Sequence, residues 1–124
     1  MANPNIVNVT SILGETVIGA LTTTLTTVLL TNSASSGKVY KINSVMISNV
    51  DGTNAADVTF KVATNDLGTS TAYAIASTIS VPADATLNLV DKNSSFYLME
   101  NQSIIGGASA NSDLEVVISY EDIS

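Results

Sequence analysis

Few residue types in this chain can do chemistry. The 124 residues include 4 Lys and 11 Asp or Glu, with no His, Cys or Trp, and no Arg occurs either. Without imidazole, thiol or guanidinium, the chain cannot build a Ser-His-Asp or Cys-His nucleophile, a Cys/His zinc site, a His-ligated iron or a redox dithiol. Carboxylate, hydroxyl, amide and lysine chemistry remain. Ser35-Ser36-Gly37-Lys38 fits S-x-x-K, in which a serine sits one helical turn before a lysine. Here it lies among small residues leading into a strand, without that motif's partners, and reads as a turn. Gly37-Lys38 also ends like a phosphate-binding loop, but Asn32 occupies the first glycine position and Val39 replaces the hydroxyl residue.

Asp51-Gly52-Thr53-Asn54 with Asp57 gathers hard oxygen ligands. Calcium takes about six to eight of these, whereas Asp-Gly alone makes a tight turn between strands. Glu100, Asp113, Glu115, Glu121 and Asp122 could supply a carboxylate pair for glycoside hydrolysis. Sugar-stacking platforms are scarce, however, with 4 Tyr and 2 Phe mostly at core-facing positions. The sequons Asn8-Val9-Thr10, Asn93-Ser94-Ser95 and Asn101-Gln102-Ser103 are what chance produces in an Asn-, Ser- and Thr-rich chain. No catalytic residue, metal ligand or cofactor-binding residue is assigned, and no cofactor is expected.

The formal charge is −7 and the pI about 4.1. Nucleic acid and anionic membranes both require clustered cations, so neither is an expected partner. Charged residues make up only 12% of the chain, while Ser, Thr and Asn supply about a third. A surface solvated by hydroxyls and amides suits secreted, displayed or assembling proteins better than cytosolic enzymes. Met1-Ala2-Asn3-Pro4 shows no targeting pattern. Residues 16–37 carry no charge, but their many threonines dilute the apolar content below that of a membrane span.

The elements that would position any site follow a period of two. Val58, Phe60 and Val62 alternate with Thr59 and Lys61, Leu87 and Leu89 flank Asn88, and Leu114, Val116, Ile118 and Tyr120 alternate with Glu115, Val117 and Ser119. Tyr73, Ile75, Ile79 and Val81 are assigned to one side of another run. Such alternation, rich in β-branched residues, predicts half-buried strands. Turn chemistry falls at 32–37, 51–54, 65–68, 82–84, 91–95, 106–107 and 110–113. Strands are predicted at 6–13, 16–21, 24–31, 38–50, 56–64, 71–81, 86–91, 95–100, 103–109 and 113–121. Helix competes over Glu15–Leu30, but its threonines favour strand. Both faces are apolar near Val45, Met46 and Ile47, as in a strand covered on two sides. The expected fold is all-β: one antiparallel β-sandwich domain over 1–124, jelly-roll-like or immunoglobulin-like, of about 8–10 strands, with 1–35 an N-terminal arm or assembly region.

The order of elements also carries a resemblance. Lys38–Asn49 is a strand ending in Ser-Asn, followed by a short turn and Ala56–Val62. Ile75–Thr86 contains Val81-Pro82-Ala83, Phe96–Ile104 contains Asn101-Gln102-Ser103-Ile104, and Leu114–Asp122 is a Val/Ile-rich terminal strand. Over residues 37–122 this resembles the small all-β virion structural proteins of tailed bacteriophages, especially cyanophage-like ones. The resemblance implies a sandwich in the virion, as a capsid decoration or a tail, neck or fibre component, and no catalytic residue. It further implies assembly in the host cytoplasm and the major capsid protein or other virion proteins as partners. A homo-oligomer is expected, a trimer being one form. Val17, Leu21, Leu25 and Val28 of the Thr-rich segment, with Val45 and Ile47, are the candidate subunit contacts, and Lys41 and Lys61 the candidate anchors on an acidic neighbour. A carbohydrate-binding or adhesin module, with Tyr73 or Tyr97 in a concave polar site, and a small carboxylate hydrolase are the competing functions.

Overall fold

In the computed structural model, which describes residues 4–124, alternation becomes nine strands. They are β1 (Ile12–Ala20), β2 (Thr27–Asn32), β3 (Val39–Asn49), β4 (Ala56–Ala63), β5 (Ala72–Val81), β6 (Thr86–Val90), β7 (Phe96–Leu98), β8 (Gln102–Ala108) and β9 (Leu114–Ile123). One 3-10 turn, Lys92–Ser94, precedes β7 and is capped by the Asp91 carboxylate. One sheet runs β1-β9-β3-β6, with β7 added beside β3, and the other runs β2-β8-β4-β5. All pairings are antiparallel. The chain crosses between the sheets at every connection except β4–β5 and β6–β7, and the two sheet orders are those of a jelly roll, which selects between the two sandwich types expected.

The core lies between the sheets. Ile42, Val45, Ile47, Val58, Phe60, Leu98, Ile104, Leu114 and Ile118 are fully buried there. Bulges explain why simple alternation assigns some faces wrongly. Asn43 is an extra residue between the pairs Ile42–Tyr120 and Ser44–Ser119. The buried parity of β3 therefore changes from even at Ile42 to odd at Val45 and Ile47, and Met46 turns to the outer face. In β5 the shared side assigned to Tyr73, Ile75, Ile79 and Val81 does not hold. Ala76 and Val81 are buried, while Tyr73, Ile75 and Ile79 are exposed. The register shifts opposite Phe60, and Thr78 adopts φ 51°, so parity slips within the strand.

Two further expectations change. The predicted strand over 6–13 starts only at Ile12, and β1 continues through the gap expected at 14–15. The expected arm is, from Ile12 onward, part of the sandwich, giving β1 to one sheet and β2 to the other. Gly106 and Gly107 lie inside β8. Their signal is close approach: a Cβ on Gly107 would stand 2.6 Å from the Thr24 carbonyl oxygen and 2.7 Å from that of Thr22. The 21–26 connection crosses the sheet at this point, tied by the Ala108 amide donating to the Thr22 carbonyl.

Candidate assembly interface

β1 ends its sheet, and among the described residues no strand pairs with its outer edge. Ser11 and Ser124 exchange both backbone hydrogen bonds, and the Leu21 amide donates to the Leu114 carbonyl. In an antiparallel ladder such pairs recur every second residue. Odd residues of β1 therefore point their amides and carbonyls at β9, while Ile12, Gly14, Thr16, Ile18 and Ala20 point theirs outward. Every residue of β1 except Val17 is exposed. Ile12, Leu13 and Ile18 are large and apolar, Ile18 being 74% exposed, and Glu15 is the single charge. Long apolar edges are templates for pairing with another chain, and proteins usually protect them with charge, proline or a bulge.

The one charge is turned inward. Glu15 faces Tyr120 in the β1–β9 register, and the Tyr120 hydroxyl donates to its carboxylate at 2.6 Å. Burial and then this hydrogen bond push the Tyr120 phenol far above its ordinary value. The Tyr40 ring packs on Tyr120 with centroids 5.0 Å apart, and burial raises its phenol as well. At the same end of the sandwich Lys38 donates to the nearly buried Asp122 carboxylate at 3.1 Å, a bond that raises the lysine's pKa. These side chains hold one another and leave β1 without an unanswered charge.

The structure separates the residues expected at subunit contacts. Val45 and Ile47 are 0% exposed and Leu21 is 1% exposed, so these three belong to the core and present no surface to a neighbour. Val17 packs against the core from β1. Leu25 and Val28 are exposed at the other sheet. Lys41 lines a polar groove with Asn43, Lys92, Ser95 and Glu121, whereas Lys61 lines a groove of the second sheet with Leu25, Thr69 and Ile105. One flat partner could not meet both lysines. The openness of β1 is missed by the sequence reading, although the apolar run Ile12-Leu13 and the isolated Glu15 are its signal.

The residues of the catalytic alternatives lie in turns and open grooves. Ser35, the serine of the S-x-x-K pattern, sits in a turn with φ 59°, and the neighbouring Ser36 hydroxyl donates to the Asn32 side-chain oxygen. The Asp51 carboxylate accepts from the Thr53 amide, which lowers its pKa, and from the Asn54 side chain, while Asn49 ties both ends of the loop. Among the described residues no group of three or more metal-binding side chains could hold an ion. None of the grooves lined by Asp57, Glu115 or Glu121 contains a second carboxylate. Tyr97 lines an apolar groove with Pro4, Ile6, Val39 and Met99, without the Asn or Asp a sugar site would use. Among the described residues no helix is long and apolar enough to cross a membrane.

No protein-family profile matches the sequence. No curated protein is significantly similar to it. Several solved structures are loosely similar in fold. One is a Bacillus endospore appendage protein, from a family of disulfide-linked pili, at 19% identity and TM-score 0.48, covering 90% of this chain and 87% of that one. A second is from the T13 particle of infectious bursal disease virus, at 8% identity and TM-score 0.47, covering 93% of this chain and 31% of the other. A third is a pentameric capsid protein from metagenomic phage sequences, at 16% identity and TM-score 0.40, covering 86% and 60%.

Proposed function

We propose that this chain is a non-enzymatic structural protein of a virion, present in many copies and decorating the outside of a phage capsid. The observation that carries the proposal is the open, apolar edge of β1 on a compact jelly roll. A monomer working alone gains nothing from such an edge, whereas a repeated module uses it for contact. The sequence resemblance over 37–122 supports the virion setting. The net charge of −7 keeps the protein off packaged DNA and suits an exterior position. Lys41 and Lys92, two of the four cations, share one groove and form the anchor we assign to an acidic neighbour.

Labelled antibodies against the chain, imaged on purified particles, test the location. Label spread over the capsid surface is the expected result. Label confined to a tail, neck or fibre would move the protein to that structure, and particles without label would reject the virion role. Lys41→Gln combined with Lys92→Gln should weaken particle association and flatten its salt dependence.

A further inference from the structure

We propose that β1 binds β1 of a second copy around a two-fold axis at Thr16, joining two sheets into one continuous sheet. The pairing needs only another copy of the chain, so it does not depend on the virion reading. The argument starts from the backbone. Ile12, Gly14, Thr16, Ile18 and Ala20 present their amides and carbonyls outward, as the Ser11–Ser124 and Leu21–Leu114 bonds require. Two antiparallel copies centred on Thr16 oppose Ile12 with Ala20, Gly14 with Ile18, and Thr16 with itself. Every outward-pointing group of the strand then meets a complementary one.

Side chains select the same register. On the outer face each isoleucine lies opposite a small residue: Ile18 over Gly14, and Ile12 over Ala20. A Cβ built on Gly14 would meet nothing within 4 Å, so there is open space for the isoleucine to fill. On the inner face Leu13 lies opposite Gly19, which also has nothing within 4 Å, and Glu15 lies opposite Val17. The neighbouring symmetric registers are worse. Centring on Glu15 sets two carboxylates directly opposite each other, which is destabilising. Centring on Gly14 or Val17 shortens the ladder and leaves an isoleucine without a partner. In the Thr16 register the two Glu15 side chains are only diagonal neighbours, and each is drawn back over its own β9 by Tyr120. The same contact explains how an edge with one charge avoids open-ended aggregation: an isologous pairing closes at two copies. It makes the expected homo-oligomer a dimer.

Because the sequence has no cysteine, single-cysteine variants test both partner and register. Paired Cα atoms in such a ladder lie about 5.5 Å apart, within disulfide reach. Thr16→Cys should form a disulfide-linked dimer under mild oxidation. Ile18→Cys, four residues out of register with its own copy, should not. Sedimentation of the unmodified chain should show a dimer, and Thr16→Pro should weaken dimerisation by about 10- to 100-fold through loss of two hydrogen bonds. The Thr16 amide faces away from β9, so this variant should keep its β circular dichroism. A monomeric wild-type chain, equal cross-linking of the two cysteine variants, or a folded Thr16→Pro variant that still dimerises fully would each overturn the proposal.

Discussion

The Tyr120 hydroxyl donates to the Glu15 carboxylate across 2.6 Å, from a buried position on β9 to an exposed one on β1. The bond settles two matters at once. It satisfies a phenol that would otherwise be buried without a partner, and it fixes the only charge on β1 over the sheet interior. Tyr120→Phe should therefore lower stability by about 1 kcal/mol, the solvent-exposed carboxylate limiting the loss. Urea unfolding measures this, and a variant as stable as the parent would show that the bond contributes nothing.

Stability should fall at alkaline pH. The folded protein raises Tyr120 and Tyr40 above 10.0, chiefly through burial, and Lys38 above 10.5, chiefly through its hydrogen bond to Asp122. A raised folded pKa means that the unfolded chain releases these protons first. The stabilisation is complete below the unfolded values and is lost as pH climbs through the folded ones. The urea midpoint should decline from about pH 10 upward, and Asp122→Asn should reduce the Lys38 part of that slope. A midpoint that is flat or rises across this range contradicts the assignment.

Asn32 is fully buried and joins three segments. Its amide donates to the Lys38 carbonyl at 2.9 Å and the Leu98 carbonyl at 3.0 Å, and its oxygen accepts from Ser36. Asn32→Ala leaves two carbonyls without their donor and should cost about 2–4 kcal/mol. Asn32→Asp should cost more, because it replaces the donor with a buried acid. Thermal or urea unfolding of the pair checks the order.

Gly107 and Gly14 should respond oppositely to alanine. The new methyl at 107 meets backbone oxygens of the 21–26 connection, which cannot move aside as a side chain would. A loss of about 1–3 kcal/mol is expected. At 14 the methyl meets open space within a single copy, so at concentrations too low for pairing the stiffer unfolded chain should make the monomer slightly more stable, by up to about 1 kcal/mol. Equal effects at both positions would show that the 21–26 connection does not lie against Gly107.

By itself the sequence determined the class of fold and the approximate strands, because alternation and turn residues are local properties. The runs at 39–49, 56–63 and 114–123 needed only neighbouring residues to be recognised. It also determined what chemistry was unavailable, since the chain has no imidazole, thiol or guanidinium. Only the tertiary structure decided which strands are neighbours, because β1 meets β9 and β2 meets β8 across most of the chain's length. It decided, too, that Val45 and Ile47 face the core, since one bulged residue, Asn43, reverses the parity that a local pattern relies on. Gly106-Gly107 reads locally as a turn, and its role as a crossing point depends on a distant loop passing over it. The open edge of β1 was decided in the same way. Whether a strand has one partner or two depends on the sheet order, which no residue in Ile12–Ala20 encodes alone.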